Sequence, residues 1–446
     1  MATVDMTVGS PSKHLLKFAL PLLCGNLFQQ FYNMVDSIIV GKFVGSNALA
    51  SVGACGSLNF LFFSLSSGLA LGIGVIVAQY FGAGDDTNVK KTISSSIYVL
   101  FFAAVLVSLI GVIFAPYILQ FMKTPSEIIG YSTIYLRTTC SGIIFIVAYN
   151  GISAILRALG DSKTPLYFLI VSSIVNVVLD LVFVLNLGMG VFGVALATVI
   201  SQLVSAVSCF IFAVHKNPYF RLTKAELKPH RKIIFMSVRL GLPIALQNSL
   251  IAVSCIVLQS VVNRFGATVV AAFTITGRVE QIVQQGFGSL QMAMSTYAGQ
   301  NVGAGKIDRV KKGFHRAVVM VVIYSAVMLV VMYTLGRGIA RFFVDETEVI
   351  NIASKALRIT SLAYFGLGMI YIPRGLLNGA GDTGFSMING ITEVIGRIGF
   401  AVLLTNIAVI GYWGAWMTNG LTWYITGIVC VIRYMSGVWQ KKRITQ

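Results

Sequence analysis

The string Gln79-Tyr80-Phe81-Gly82-Ala83-Gly84 returns as Gln300-Asn301-Val302-Gly303-Ala304-Gly305, an offset of 221 residues. That offset also carries Lys90-Lys91 onto Lys311-Lys312, Tyr135-Leu136-Arg137 onto Ala356-Leu357-Arg358, Gly160-Asp161 onto Gly381-Asp382, and Gly193 onto Gly414. Near the starts, Leu20-Pro21 meets Leu242-Pro243 with one residue of slippage. A single offset serving so many separated places marks a duplicated unit.

What is duplicated follows from composition. The 446 residues are 56% hydrophobic and only 11% charged, with a mean hydropathy of +0.84. Soluble globular proteins carry roughly 25% charged residues, so a water-soluble enzyme is excluded. Runs such as 99–116 and 317–335 are uncharged over the length, about 20 residues, that a helix needs to cross the hydrocarbon core. Apolar windows bounded by Gly, Pro and charge predict twelve helices: 15–41, 47–80, 92–115, 129–156, 164–186, 192–214, 235–262, 268–301, 315–335, 350–376, 385–406 and 412–434. Each half therefore holds six. Six is even, so both halves enter the membrane from the same side, as parallel repeats about an axis along the membrane normal. The predicted fold is an all-α polytopic membrane protein: twelve transmembrane helices in two six-helix repeats around a central cleft. The expected division is an N-lobe over 1–214, a cytoplasmic linker over 215–234 and a C-lobe over 235–446.

The net charge of +18 is a topology signal. Lys and Arg crowd the N-terminus, the loops near 85, 160, 220, 310 and 380, and the end Lys441-Lys442-Arg443. The opposite loops carry only Lys42, Lys123, Arg264, Arg337 and Arg341. Both termini are thus expected in the cytoplasm, with a further attraction to anionic lipid and no role in nucleic-acid binding. The six cysteines lie in apolar stretches without a CxxC pair, which argues against a disulfide framework or a zinc site. The N-terminus lacks a cleavage site and reads as a first span.

Four acids fall inside predicted spans: Asp36, Asp180, Glu280 and Glu393. Each costs at least about 2.5 to 3.5 kcal/mol at mid-bilayer and needs a reason. Asn176 and Asp180 are four apart and share one helix face. With Asp36, Asn150 on the fourth helix and Thr198 on the sixth, they supply oxygens that suit a small hard cation, or carboxyls that share a proton. The second half lacks this set, since the offset carries Asn176 to Arg397, Asp180 to Ala401 and Asn150 to Tyr371. Confinement to one half points to a specialised ion site. Glu393 and Arg397, spaced i, i+4 in the favourable order, are expected to form a structural ion pair. Glu280, with Gln281 and Gln284, is a candidate for the substrate pathway. Pro21 and Pro243 remove a backbone donor inside the first and seventh helices and predict hinges there.

The pattern resembles the multidrug and toxic compound extrusion (MATE) family over essentially the whole chain, with its bacterial DinF and MepA type branch nearest. The resemblance is carried by FQQFYNMVDSIIVGKFVG in the first helix, QYFGAG and QNVGAG after the second and eighth, and RALGDSKTP and NGAGDT after the fourth and tenth. It implies that Asp36, Asn176 and Asp180, with Asn150 and Thr198, form a proton or sodium site in the N-lobe. One departure stands out: Pro243 is followed by IALQNSL, without the seventh-helix acid of the NorM-like branch, so a C-lobe cation site of that kind is not expected.

The expected function is a secondary antiporter that exports organic, mostly cationic or amphipathic compounds in exchange for H+ or Na+. It would work as a monomer in a prokaryotic inner membrane, with no cofactor and no metal beyond Na+. The alternative is a lipid-linked oligosaccharide flippase of the same wider superfamily, with Arg278 and Arg397 facing a pyrophosphate. A membrane-embedded enzyme finds no aspartate-rich metal motif, His cluster or nucleophile motif. A primary pump finds no GxxxxGK[ST].

Overall fold

The computed structural model describes residues 3–444, and among them helix is the regular structure throughout. The first half holds α1 (Pro11–Ile39), α2 (Ser46–Gly82), α3 (Asp86–Phe121), α4 (Ser126–Ser141), α5 (Ile143–Ala158), α6 (Lys163–Leu181) and α7 (Gly190–Lys216). The second half holds α8 (Arg231–Val262), α9 (Ala267–Gly303), α10 (Ile307–Phe343), α11 (Thr347–Ser361), α12 (Tyr364–Gly379), α13 (Gly384–Thr405) and α14 (Gly414–Met435). With α4–α5 and α11–α12 each counted as one span, the described helices make the twelve predicted spans, six to a half. Eight of these pass a length-and-hydropathy test for crossing a membrane, and ten with the two bent pairs. The remaining two, α1 and α9, are diluted by polar residues such as Asn33 and Asp36, or Glu280, Gln281 and Gln284.

Two spans expected to be continuous are broken. The stretch 129–156 bends by 45° between α4 and α5, and 350–376 bends by 49° between α11 and α12. The breaks are repeat mates, at Gly142 and at Leu362-Ala363. A Cβ on Gly142 would collide with the Val199 side chain, so α7 can approach the bend only because the residue is glycine. Two further irregularities follow the acid-bearing helices. A π turn over Val40–Val44 extends α1, closed by Gly45 N–H to Val40 O at 3.1 Å, and a second over Val182–Asn186 extends α6, closed by Leu187 N–H to Val182 O at 3.1 Å. Both begin within one turn of an aspartate, and π turns recur at functional sites.

The chain forms two compact units. The N-terminal unit contains residues 3–5 and Leu20–Ala245, and the C-terminal unit contains Met6–Ala19 and residues 246–444. The opening run of α1, through Ala19, therefore belongs to the C-terminal unit, and the opening run of α8, through Ala245, to the N-terminal one. Each helix changes unit beside its internal proline, Pro21 or Pro243.

Within the N-terminal unit α2 receives the start of α8 at close range. A Cβ on Gly72 would lie 2.5 Å from the backbone N of Gly241, and one on Gly68 2.6 Å from Ala245 Cβ, a small-residue contact that lets two backbones meet in lipid. The connector before α8 is tied to α3 in the same unit. Lys90 Nζ bonds Glu226 Oε1 at 2.9 Å, Ser94 Oγ donates to Lys228 O at 3.1 Å, and Tyr98 Oη donates to Leu227 O at 3.0 Å. Backbone and side-chain donors of Thr223, together with Lys90, hold the exposed Glu226 carboxyl down at about 2. Burial and the Asp86 carboxylate, which accepts from its hydroxyl at 2.6 Å, push Tyr219 up to about 12. Apolar side chains such as Phe102, Leu106 and Ile113 on α3 or Val330 and Leu335 on α10 remain exposed, as a lipid-facing surface requires.

Candidate functional site

The candidate residues lie within the N-terminal unit on α1, α4, α5, α6 and α7. Asn176 and Asp180 lie one turn apart on α6, and both are fully buried. With its amide oriented to satisfy both neighbours, Asn176 donates to Asp180 Oδ2 at 2.9 Å and accepts from the Thr198 N–H of α7 at 3.2 Å. The Asp180 carboxyl is in turn hydrogen-bonded to the Asp36 carboxyl of α1. Two carboxyl groups in hydrogen contact must share a proton, or have a cation between them, because two bare like charges at that distance repel strongly. Thr198 completes a second link: its hydroxyl bonds the Tyr32 hydroxyl and donates to Val194 O at 3.1 Å.

Asp36 Oδ1, Asp180 Oδ1 and Asn150 Nδ2 are buried and have no partner among the described residues. Two free carboxylate oxygens are the donor type a small hard cation takes. No cluster of three or more His, Cys, Asp or Glu fit for a transition metal occurs among the described residues.

Asp36, Asn176, Asp180 and Thr198 are thus brought together, whereas Asn150, half-buried on α5 with its Nδ2 unpartnered among the described residues, makes no bond to them. Two tyrosines escaped the sequence reading. Tyr32 lies one turn before Asp36, a spacing that could have flagged it, and Tyr135 on α4 is buried close to Asp36, Tyr32 and Asp180.

In the C-terminal unit Glu393 and Arg397 pair at 2.8 Å on α13. A third charge joins them: Arg374 on α12 reaches Glu393 at 3.3 Å and Asn389 Oδ1 at 3.0 Å through Nε. Arg397 also donates to the Ser254 hydroxyl of α8. All three charged side chains are buried. Arg374 was masked in the sequence because it stands next to Pro373, close to the basic loop near 380. The substrate-pathway candidates do not form one surface. Glu280 is buried, bonded to Thr360, with Oε1 unpartnered among the described residues, whereas Gln281 is exposed and Gln284 half-buried.

A duplicated, all-helical bundle of membrane spans with a polar carboxyl pair buried in one repeat defines the class as a polytopic membrane transport protein. The MatE family model matches residues 21–182 and 243–403, once for each half and starting at each proline, and the chain belongs to that family, which is one of transporters and not of enzymes. Among curated proteins it is 28% identical over 437 residues to the probable multidrug resistance protein YoeA of Bacillus subtilis (strain 168), covering 96% of this chain and 94% of that one. It is 22% identical over 392 residues to the multidrug export protein MepA of Staphylococcus saprophyticus (strain ATCC 15305), covering 86% and 85%. Among solved structures, a MOP superfamily transporter from Pyrococcus furiosus Vc1 (DSM3638) superposes with a TM-score of 0.91 at 23% identity, covering 99% of both chains. That likeness is one of fold.

Proposed function

We propose that the protein is a secondary active antiporter that exports organic, mostly cationic or amphipathic compounds by alternating access, driven by inward H+ or Na+. It acts as a monomer in a prokaryotic cell membrane with both termini in the cytoplasm. The observation that carries this reading is the Asp36–Asp180 carboxyl pair with its two unsatisfied oxygens. A scaffold could use amides alone, as Asn176 does, and avoid the cost of two acids within the membrane. Asn150, Asn176 and Thr198 complete the ion site, and Glu280, Gln281 and Gln284 border the substrate route. Ion and substrate need not touch. If ion binding weakens substrate binding, substrate weakens ion binding by the same factor.

The flippase alternative needs free cations for a pyrophosphate. Of the two arginines that reading would use, Arg278 is exposed but Arg397 is committed to Glu393 and Ser254, which disfavours it. Inverted membrane vesicles with an imposed proton or sodium gradient test the proposal. Asp36→Asn and Asp180→Asn should each abolish concentrative uptake while reaching the membrane at normal levels. Concentrative uptake retained by both would reduce the pair to scaffold.

A further inference from the structure

The segment ahead of α1 is gripped by side chains outside the ion site and the substrate route. Within the C-terminal unit, residues 6–8 lie against the turn joining α9 to α10. Gln300 Oε1 accepts from the Met6 N–H at 2.8 Å, and Asn301 Nδ2 donates to Met6 O at 3.2 Å and to Tyr297 O at 2.8 Å. Lys306 Nζ reaches Thr7 O at 3.0 Å and Thr7 Oγ1 at 3.2 Å. Arg309 donates through Nη2 to Met6 O at 3.0 Å and to Val8 O at 2.8 Å, and its guanidinium lies 5.8 Å from the Tyr297 ring centre. His14 of α1 contacts Val8 O at 2.7 Å. Three consecutive carbonyls are thus taken, each of them by a charged donor, the stronger class of hydrogen bond. Met6 and Thr7 are buried by this grip.

The grip is not a by-product of the repeat. Of the four gripping side chains only Gln300 has an identical mate under the 221-residue offset, Gln79; Asn301, Lys306 and Arg309 fall on Tyr80, Asp85 and Asn88, and neither charged donor is kept. It secures the part of α1 that counts with the C-terminal unit, Pro11–Ala19, whereas Leu20–Ile39 counts with the N-terminal one. Pro21 sits at the handover, where the helix lacks a backbone donor and bends most cheaply. Asp36 lies fifteen residues beyond it, about 22 Å along the helix.

We infer that Gln300, Asn301, Lys306 and Arg309 are positioning residues for ion coupling. They fix the short arm of α1 in the C-terminal unit, so that repacking of the long arm around Asp36 acts about Pro21 on the other unit and not on a loose end. The inference rests on the antiport reading above. With the short arm released, the long arm still responds to the ion, but the response is not passed on. Such a protein carries substrate downhill and cannot concentrate it.

The test uses the full chain in proteoliposomes, with ethidium as probe. Lys306→Ala/Arg309→Ala and a deletion of residues 2–9 are each compared with wild type for accumulation driven by a proton or sodium gradient, and for downhill flux without an ion gradient. Accumulation should fall at least tenfold while downhill flux stays within twofold. Where yield is low, Lys306→Gln/Arg309→Gln keeps size and polarity and serves the same comparison. Unchanged accumulation, or an equal loss of both fluxes, overturns the inference, the second because it marks a general fold defect. A wild type without ion-driven accumulation overturns the antiport reading and the inference together. A coupled wild type with unaffected variants overturns the inference alone.

Discussion

Asn176 shows how narrowly the proposed ion site is set. Its amide donates to Asp180 and accepts from α7, so it orients the carboxylate and offers no titrating group. Asn176→Ala should weaken sodium-driven more than proton-driven export, because it removes the donor that orients the Asp180 carboxylate for a cation and leaves the proton-carrying acids in place; initial export rates under the two gradients check this. The C-terminal cluster makes a different prediction. Glu393 lies between two guanidinium groups, which stay charged. Glu393→Gln leaves both buried without a counter-charge and should cost roughly 3 to 5 kcal/mol. Arg397→Gln leaves Glu393 its contact with Arg374 and should cost less. Thermal melting in detergent should therefore rank wild type above Arg397→Gln and Arg397→Gln above Glu393→Gln. The reverse order would mean that Arg374 does not compensate. At this scale the i, i+4 spacings of Asn176–Asp180 and Glu393–Arg397 were legible, because a helix turns spacing into facing. Tyr32 and Tyr135 were not, since tyrosines inside apolar helices are common and their role depends on which helices pack together. Arg374 was hidden by its closeness to a basic loop.

At the scale of elements, the existence of the helices followed from uninterrupted apolar runs, and the internal repeat fixed their number. The bends did not follow. Ser141-Gly142 and Leu362-Ala363 contain no proline, and the first bend depends on how closely Val199 of another helix approaches. The handover of α1 and α8 between units was equally illegible, because it is a property of tertiary packing, although the two prolines beside it were visible as hinges. Pro21 lies on the helix that carries Asp36, while Pro243 lies on one without an acid. Pro21→Ala should therefore impair ion-driven export more than Pro243→Ala, in rates normalised to protein in the membrane. A larger loss at Pro243 would place a coupling group in the second half.

The connector is an element with its own pH signature. Glu226 is held at about 2 by Thr223 and Lys90, so its folded value lies below the ordinary carboxylate value. Its contribution is present above that ordinary value and is lost as pH falls toward 2. Protease cleavage of the connector should be the same at pH 5 and pH 8, and faster at both in Glu226→Gln. A rise in cleavage between pH 8 and pH 5 in wild type would contradict this assignment.

At the scale of the whole molecule, duplication supplied the frame and asymmetry supplied the proposed function. Both halves match the same family, yet the first places two acids together and the second fills the mate of Asn176 with Arg397, bound to Glu393. The driving ion is therefore proposed to bind in one half. That assignment is tested by reconstituting the protein and imposing proton and sodium gradients separately while following a fluorescent organic cation. At least one gradient should drive accumulation against the concentration of the cation, and Asp36→Asn/Asp180→Asn should remove this drive. Accumulation that needs neither gradient, or that survives loss of both acids, would contradict it.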